Sequence, residues 1–387
     1  MRVLIHAVSA HDMGGAARHL WGFLPALGRA GQDHEYLLYV NERLPLEPLP
    51  LNFHLRRLPV QSAKQRLWWD QVTLPRLAVN EHADVVLAIL SFGSARPACP
   101  QIAFLRNPIH CRYYTMGLSA KGRLDVALRR HFLYLTLRAS RLIVAPSAAI
   151  RDVVRKAHPN LPIERFRVLP HAFDREQFAN SSDLPKDVAA VLPEERTDDA
   201  VRLLYVGHIL PYKGFGTMLE AIRLMDEKGL KFKLYLTIAR ENWPVGFDHW
   251  MADVSRLRLN DRVVVLGRVS GSAVANLYRR CDILWFPSLC ETFGWPIIEA
   301  MSFGLPIVAV DMPLNREMAG EAALYYPPLQ AEAAADAVSR LVRDPAERLR
   351  PKEIGRSKAN NHISWDEYVR TVLNCCLEVT SPERQSL

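Results

Sequence analysis

The stretch Glu291-Thr292-Phe293-Gly294-Trp295-Pro296-Ile297-Ile298-Glu299, continued by Ala300-Met301-Ser302-Phe303-Gly304-Leu305-Pro306, sets two carboxylates eight positions apart around a glycine turn. Pro296 suits the first position of a helix, where its missing N–H has no intrahelical role. The spacing predicts a helix through Glu299 to about Phe303, stopped by Gly304. Glu291 then lies in the loop leading into the positive end of that helix, and Glu299 lies one turn inside. The N–H groups of Phe293, Gly294 and Trp295 point out of this end and form a ready phosphate site. A carboxylate on each side accepts hydrogen bonds from sugar hydroxyls, so the combination fits a sugar joined to a diphosphate. The competing reading, a loop-to-helix junction with two solvated acids, explains neither the glycine and proline nor the apolar frame.

Outward from this stretch, short aliphatic runs alternate with longer amphipathic ones, the pattern of parallel sheets covered by helices. In the second half, Arg202-Leu203-Leu204-Tyr205-Val206-Gly207 is a strand running into a glycine, followed by His208-Ile209-Leu210-Pro211-Tyr212-Lys213-Gly214 and a helical run Met218–Met225. Further strands are expected at 233–237, 263–266, 282–286 and 306–310. In the first half the strand candidates are 3–8, 35–39, 85–90, 101–104, 142–145 and 166–169. The composition turns polar between Phe178 and Ala200, which reads as a linker. At 387 residues the chain exceeds one ordinary core. Both halves begin with a strand–glycine–helix device, which predicts an α/β protein of two Rossmann-like domains facing a cleft, 1–180 and 200–364.

With 49% hydrophobic and 23% charged residues the composition is that of a globular protein. No apolar run is long enough to cross a bilayer, and Met1–Val8 has no secretory cleavage site, so a cytoplasmic location is expected. Six cysteines in no metal-type spacing, with Cys375 and Cys376 adjacent, read as reduced packing residues. The net charge of +8 is uneven: residues 1–186 carry 25 Lys+Arg against 14 Asp+Glu, or +11, and the rest −3. A basic first half attracts an anionic membrane surface or a phosphorylated acceptor, and residues 121–134 could form an amphipathic helix with a cationic face. No zinc-finger, helix-turn-helix or aromatic RNA-binding motif is present, which argues against nucleic acid as a partner.

The segment from Glu291 to Glu299 resembles the Glu-x7-Glu signature of retaining glycosyltransferases of family 4, which adopt the glycosyltransferase-B fold. Arg279-Arg280-Cys281-Asp282-Ile283-Leu284-Trp285-Phe286-Pro287-Ser288 leads into it and Ile307-Val308-Ala309-Val310 follows it as in that family. The resemblance implies that Glu291 contacts the transferred sugar and that Glu299 binds the ribose hydroxyls. It implies that the Gly207 loop holds the diphosphate through Lys213 and the residue at His208, where the family usually has arginine. It also implies that the main chain around Val269 contacts the base, and that Gly14-Gly15, before a first helix with Ala17 in place of the usual glutamate, approaches the phosphates. Many relatives carry a sugar-contacting histidine near Arg106; Asn107 or His110 could substitute for it. Members with the element Ile363-Ser364-Trp365-Asp366 send the terminal helix, here 365–387, back to the first domain.

These residues predict a retaining hexosyl transfer from a UDP- or GDP-sugar to a glycan or lipid-linked acceptor, with peripheral membrane attachment possible through the basic half. Glu291, Lys213 and His110 are the catalytic candidates. No Asp-x-Asp pair occurs in the chain, so Lys213, His208 and the helix end are expected to neutralise the diphosphate without a metal or other cofactor. A nucleotide-sugar epimerase and a non-catalytic sugar-nucleotide-binding protein are the alternatives. A nicotinamide dehydrogenase fits least, since Gly14-Gly15 lacks the full glycine fingerprint.

Overall fold

The computed structural model describes residues 1–10, 15–180, 182–196 and 198–381. The chain divides into two compact units. Unit 1 comprises Met1–Cys111, Ser119–Phe173 and the segment from Ile363 on, and unit 2 comprises Arg112–Leu118 and Asp174–His362.

Unit 1 is built on seven strands: β1 (Arg2–Ala7), β2 (Glu35–Asn41), β3 (Phe53–Leu58), β4 (Val85–Ala88), β5 (Gln101–Phe104), β6 (Leu142–Ala145) and β7 (Phe166–Val168). Their spatial order is β3-β2-β1-β4-β5-β6-β7, and every neighbouring pair is parallel. Central strands such as Val85–Ala88 and Leu142–Ala145 are buried on both faces, as parallel strands between helix layers must be. β3 instead alternates partly buried with exposed residues and closes the edge with Arg56 and Arg57, charges that protect an open strand from pairing.

The helix Trp365–Thr380 starts at a capping box between Ser364 and Glu367. It packs Tyr368, Val372 and Cys376 into the same core as Val3, Ile5, Leu20 and Phe23, so this late segment completes unit 1. Its approach to the helix Gly15–Ala30 is close: a Cβ at Gly22 would lie 2.1 Å from the Trp365 ring. Only glycine fits there.

Unit 2 carries β8 (Val201–Tyr205), β9 (Phe232–Leu236), β10 (Val263–Val265), β11 (Ile283–Phe286), β12 (Ile307–Val310) and β13 (Ala323–Tyr326). The order is β10-β9-β8-β11-β12-β13, again all parallel. Residues 182–196, read as linker from composition, belong to unit 2. They form the short helix Lys186–Val191 and tie Ser182 to Ser272 through a main-chain and a hydroxyl hydrogen bond.

In each unit the strand order reverses between the first strand and the fourth. A crevice outside the carboxyl ends of those two strands is where a doubly wound sheet binds ligands. In unit 2 these are β8 and β11. Among the described residues no helix is long and apolar enough to cross a membrane.

Candidate functional site

The loops after β8 and β11 meet at the carboxyl edge of the unit 2 sheet. The β8 loop contains a 3-10 turn at Pro211–Lys213 and then Gly214, whose φ is +74°. A Cβ on Gly214 would sit 2.4 Å from the Pro287 carbonyl oxygen, so this glycine permits both the left-handed backbone and the contact between the loops. Leu289 donates its N–H to the Tyr212 carbonyl at 3.0 Å, locking the loops in register. Asn315, 1% exposed, steadies the far side by donating to the carbonyls of Val310 at 2.8 Å and Ser288 at 3.4 Å.

This framework brings Lys213 and Glu291 into an ion pair. Their side chains are 13% and 19% exposed, shielded enough for charge to act strongly yet still reachable. Tyr212 lies beneath the Lys213 ammonium and stacks on Tyr114 at 5.0 Å. Tyr205 donates its hydroxyl to the His208 carbonyl at 2.8 Å, and the Gly207 N–H donates to Thr237 Oγ1 at 3.0 Å. Burial raises the Tyr205 phenol well above its ordinary pKa, with Glu291 and Tyr212 adding to it.

His208 is exposed as a residue, yet its ring is crowded by its neighbours. That crowding lowers its pKa; the Asn242 amide beside it opposes, Lys213 and Arg268 add to the lowering, and Glu291 opposes. The imidazole is therefore neutral at pH 7, and Lys213 carries the cationic charge next to Glu291.

The helix predicted after Gly294 forms as Trp295–Phe303, one residue earlier than Pro296 indicated, because Gly294 takes a left-handed conformation (φ +79°) and makes the turn itself. Gly304 ends the helix at φ +70°. Phe293 is 1% exposed and packs edge-on against the half-buried Trp295 at 5.3 Å. Glu299 departs from an open position one turn inside the helix. It is 1% exposed, and its Oε2 accepts the Tyr278 hydroxyl at 2.7 Å. The two glutamates thus face different partners, Glu291 a cation and Glu299 a phenol. Val269 is buried in the loop after β10, behind Gly267 at φ +70°.

The other candidates belong to unit 1. Gly15 opens the first helix, while Gly14 lies outside the described residues. His110 Nε2 lies 2.7 Å from His158 Nε2. Burial, then His158 and Arg130, push the His110 imidazole down to about 4. His110 is thus a neutral member of a histidine pair within unit 1. Arg106 Nη1 lies 3.1 Å from His171 Nε2, and its N–H donates to Ser91 Oγ at 2.8 Å.

Sequence reading missed Tyr205, Tyr278, Asn242 and Asn315. Tyr205 and Tyr278 pass as core aromatics in their strand and helix, and no local spacing marks the two asparagines.

Two doubly wound sheets with these connections define the glycosyltransferase-B fold. The structure matches the crystal structure of Anabaena HepE in complex with UDP and glucose with a TM-score of 0.71 at 16% identity, over 97% of this chain and 98% of that one. It matches WaaG, a glycosyltransferase involved in lipopolysaccharide biosynthesis, with a TM-score of 0.69 at 15% identity, over 98% and 100%. The chain itself belongs to the family 4 glycosyltransferases. A sequence profile described as "Glycosyltransferase Family 4" matches residues 13–177, and one described as "Glycosyl transferases group 1" matches 193–358.

Among characterised relatives, the serotype-specific mannosyltransferase WbdA of Escherichia coli is 27% identical over 250 residues, 61% of this chain and 29% of WbdA. The O-antigen chain mannosyltransferase RfbU of Salmonella typhimurium is 22% identical over 249 residues, 62% of this chain and 63% of RfbU. The match therefore spans under a third of WbdA and under two thirds of RfbU.

Proposed function

We propose that this chain is a retaining glycosyltransferase that moves a hexose from a UDP- or GDP-sugar to a hydroxyl of a glycan or lipid-linked acceptor in cell-envelope polysaccharide synthesis. The observation that carries the reading is the Lys213–Glu291 pair, held at the reversal point of the unit 2 sheet beside the start of the Trp295–Phe303 helix. In the absence of donor each charge satisfies the other. An arriving diphosphate draws Lys213 away, and Glu291 is released to accept hydrogen bonds from the sugar. The pair thus holds both groups in place for two different parts of one substrate.

As the glycosidic bond breaks, negative charge grows on the departing phosphate, where Lys213 and the helix N-terminus stabilise it. Neutral His208 contributes a hydrogen bond rather than a charge. The departing phosphate oxygen takes the acceptor proton on the same face, which keeps the anomeric configuration. Lys213 and the helix end supply the positive field without a divalent cation. Glu299, oriented by Tyr278, takes the ribose, with the main chain at Val269 beside the base.

Mannose is the favoured hexose, because WbdA and RfbU are both named mannosyltransferases. We infer that the work is done at the inner face of the cell membrane. The helix Ala120–Ala139 supports this, since it exposes Leu124 (63%) and Leu128 (53%) on the turn-spaced face that also carries Lys121. Pelleting with anionic vesicles should fall as salt rises; no pelleting at low salt sinks the membrane part.

Incubation with a panel of UDP- and GDP-hexoses and an acceptor, read by NMR of the product linkage, tests the reaction. The expected product keeps the donor's anomeric configuration and forms equally well in EDTA. An inverted product overturns the retaining route, and loss of turnover in EDTA overturns the metal-free one. The neutral state of His208 favours one second reading, a sugar-nucleotide-binding protein without turnover, which would bind nucleotide and release no product.

A further inference from the structure

A second charged site lies at the other edge of the unit 2 sheet. Asp282 and Pro306 stand just before β11 and β12, so the cavity they border is at the amino ends of the strands, away from the carboxyl-edge loops of Lys213 and Glu291. Its volume is about 520 Å³, enough for a molecule the size of a sugar phosphate. One wall is the C-terminal end of the Trp295–Phe303 helix.

Arg279, Arg348, Lys352 and Arg356 border this cavity, against one carboxylate, Asp282. That carboxylate is already committed: it pairs with Arg196 and accepts the Arg202 N–H at 2.8 Å. Arg348 donates Nε to the Leu341 carbonyl at 2.6 Å and Nη2 to Val342 at 3.2 Å. Arg279 donates to Asn276 Oδ1 at 2.7 Å and to the Ala179 carbonyl, with its guanidinium over Phe303. The acceptors of Arg348 are neutral carbonyls, so they fix the position of its guanidinium without cancelling its charge. Lys352 makes no ion pair or hydrogen bond among the described residues, and Arg356 reaches only the Phe303 carbonyl at 3.5 Å.

The helix end itself is negative and would repel an anion, but it is covered. A Cβ at Gly304 would come within 2.4 Å of Arg356 Nε and 3.0 Å of Lys352 Cγ, so the bare glycine lets both long side chains lie across the last turn. Arg348, Lys352 and Arg356 converge on one concavity whose carboxylate is already committed and repel one another, and a multiply charged anion relieves that repulsion. Guanidinium and ammonium groups together are the set that grips phosphate oxygens.

We propose that this cavity binds a phosphate-bearing small molecule, at a site separate from the one that holds the donor. It does not rest on the transferase reading, because its test reads binding in a protein disabled at Lys213. Full-length Lys213→Ala protein is titrated calorimetrically with inorganic phosphate and with glucose 6-phosphate at constant ionic strength, then again with Lys352→Gln and Arg356→Gln added. At least one probe is expected to bind the Lys213→Ala protein, with affinity falling by roughly tenfold or more when the two cations are removed. Tighter binding of glucose 6-phosphate makes the ligand a sugar phosphate, and tighter binding of inorganic phosphate makes it the free ion. Lys352→Gln alone, at a partly exposed position, should give part of the same loss and guards against a folding artefact. No binding by the Lys213→Ala protein, or the same affinity with both cations removed, overturns the proposal.

Discussion

The sheets of the two units resemble each other in topology and differ in how the polar groups around their carboxyl edges are satisfied. In unit 2, Lys213 is paired with Glu291, Glu299 accepts from Tyr278, and Asn315 spends its amide on two carbonyls. In unit 1, the Nε and Nη2 of Arg106 and both ring nitrogens of His19 are shut off from solvent without a well-formed hydrogen bond among the described residues, and the neutral Tyr368 hydroxyl beside Arg106 brings no counter-charge. Burial pushes the Arg106 guanidinium down to about 10. The lesson is that equal folds tolerate loss of charge unequally. Removing one member of a closed pair strands the other, whereas removing an unmatched cation relieves a cost.

Five substitutions break or sharpen this contrast. The largest effect is expected from Lys213→Ala, which should cut transfer by about a hundredfold or more, the scale of losing one positioned electrostatic donor. Steady-state rates with the preferred donor check it, and a rate within a few-fold of wild type removes Lys213 from the mechanism.

Next is a pH effect in unit 1. His110 is held neutral in the folded protein, with its pKa lowered from 6.5 to about 4. As pH falls, the unfolded chain takes the proton first, so this contribution is intact above the unfolded pKa and is lost as pH drops from 6.5 through about 4. His110→Gln should flatten the urea-denaturation stability over that window by up to about 3 kcal/mol. Parallel pH profiles for the two proteins would refute the assignment.

Gly214→Ala should follow, costing about 1–3 kcal/mol from left-handed strain and the clash with Pro287. Urea unfolding measures it, and an unchanged midpoint contradicts the close approach of the two loops. Tyr278→Phe removes the donor to buried Glu299 and should cost roughly 1–2 kcal/mol, with weaker nucleotide binding by calorimetry. Unaltered nucleotide affinity would separate Glu299 from the ribose. Arg106→Met should change stability least, with a gain of about 1 kcal/mol from removing a buried, unmatched charge. A loss as large as that for Gly214→Ala would show that unit 1 depends on this cation after all.

Much of this organisation is legible from residues alone. The strands at Gln101–Phe104 and Leu142–Ala145 coincide with their predicted bounds, because a buried parallel strand is a short uninterrupted aliphatic run. Phe53–Leu58 escaped notice because Arg56 and Arg57 interrupt the apolar pattern, which an edge strand allows and an interior one does not. Ala323–Tyr326 is too short and aromatic to stand out. The polar run after Phe178 lacks periodicity, yet tertiary contacts such as Ser182 to Ser272 fold it onto unit 2. At the site, Lys213, Gly294, Gly304 and Glu291 announce themselves through spacing and turn chemistry. The phenol on Glu299 does not, since a hydrogen bond between two helices leaves no mark in either sequence.

The helix Trp365–Thr380 carries a consequence for synthesis. Its Tyr368, Val372 and Cys376 fill the core that β1 and the first helix begin, and they are translated after the whole of unit 2. On the ribosome the usual order of domain completion is therefore reversed. The later-encoded unit has all its parts first, while the earlier one waits with an uncovered apolar face that invites chaperone capture.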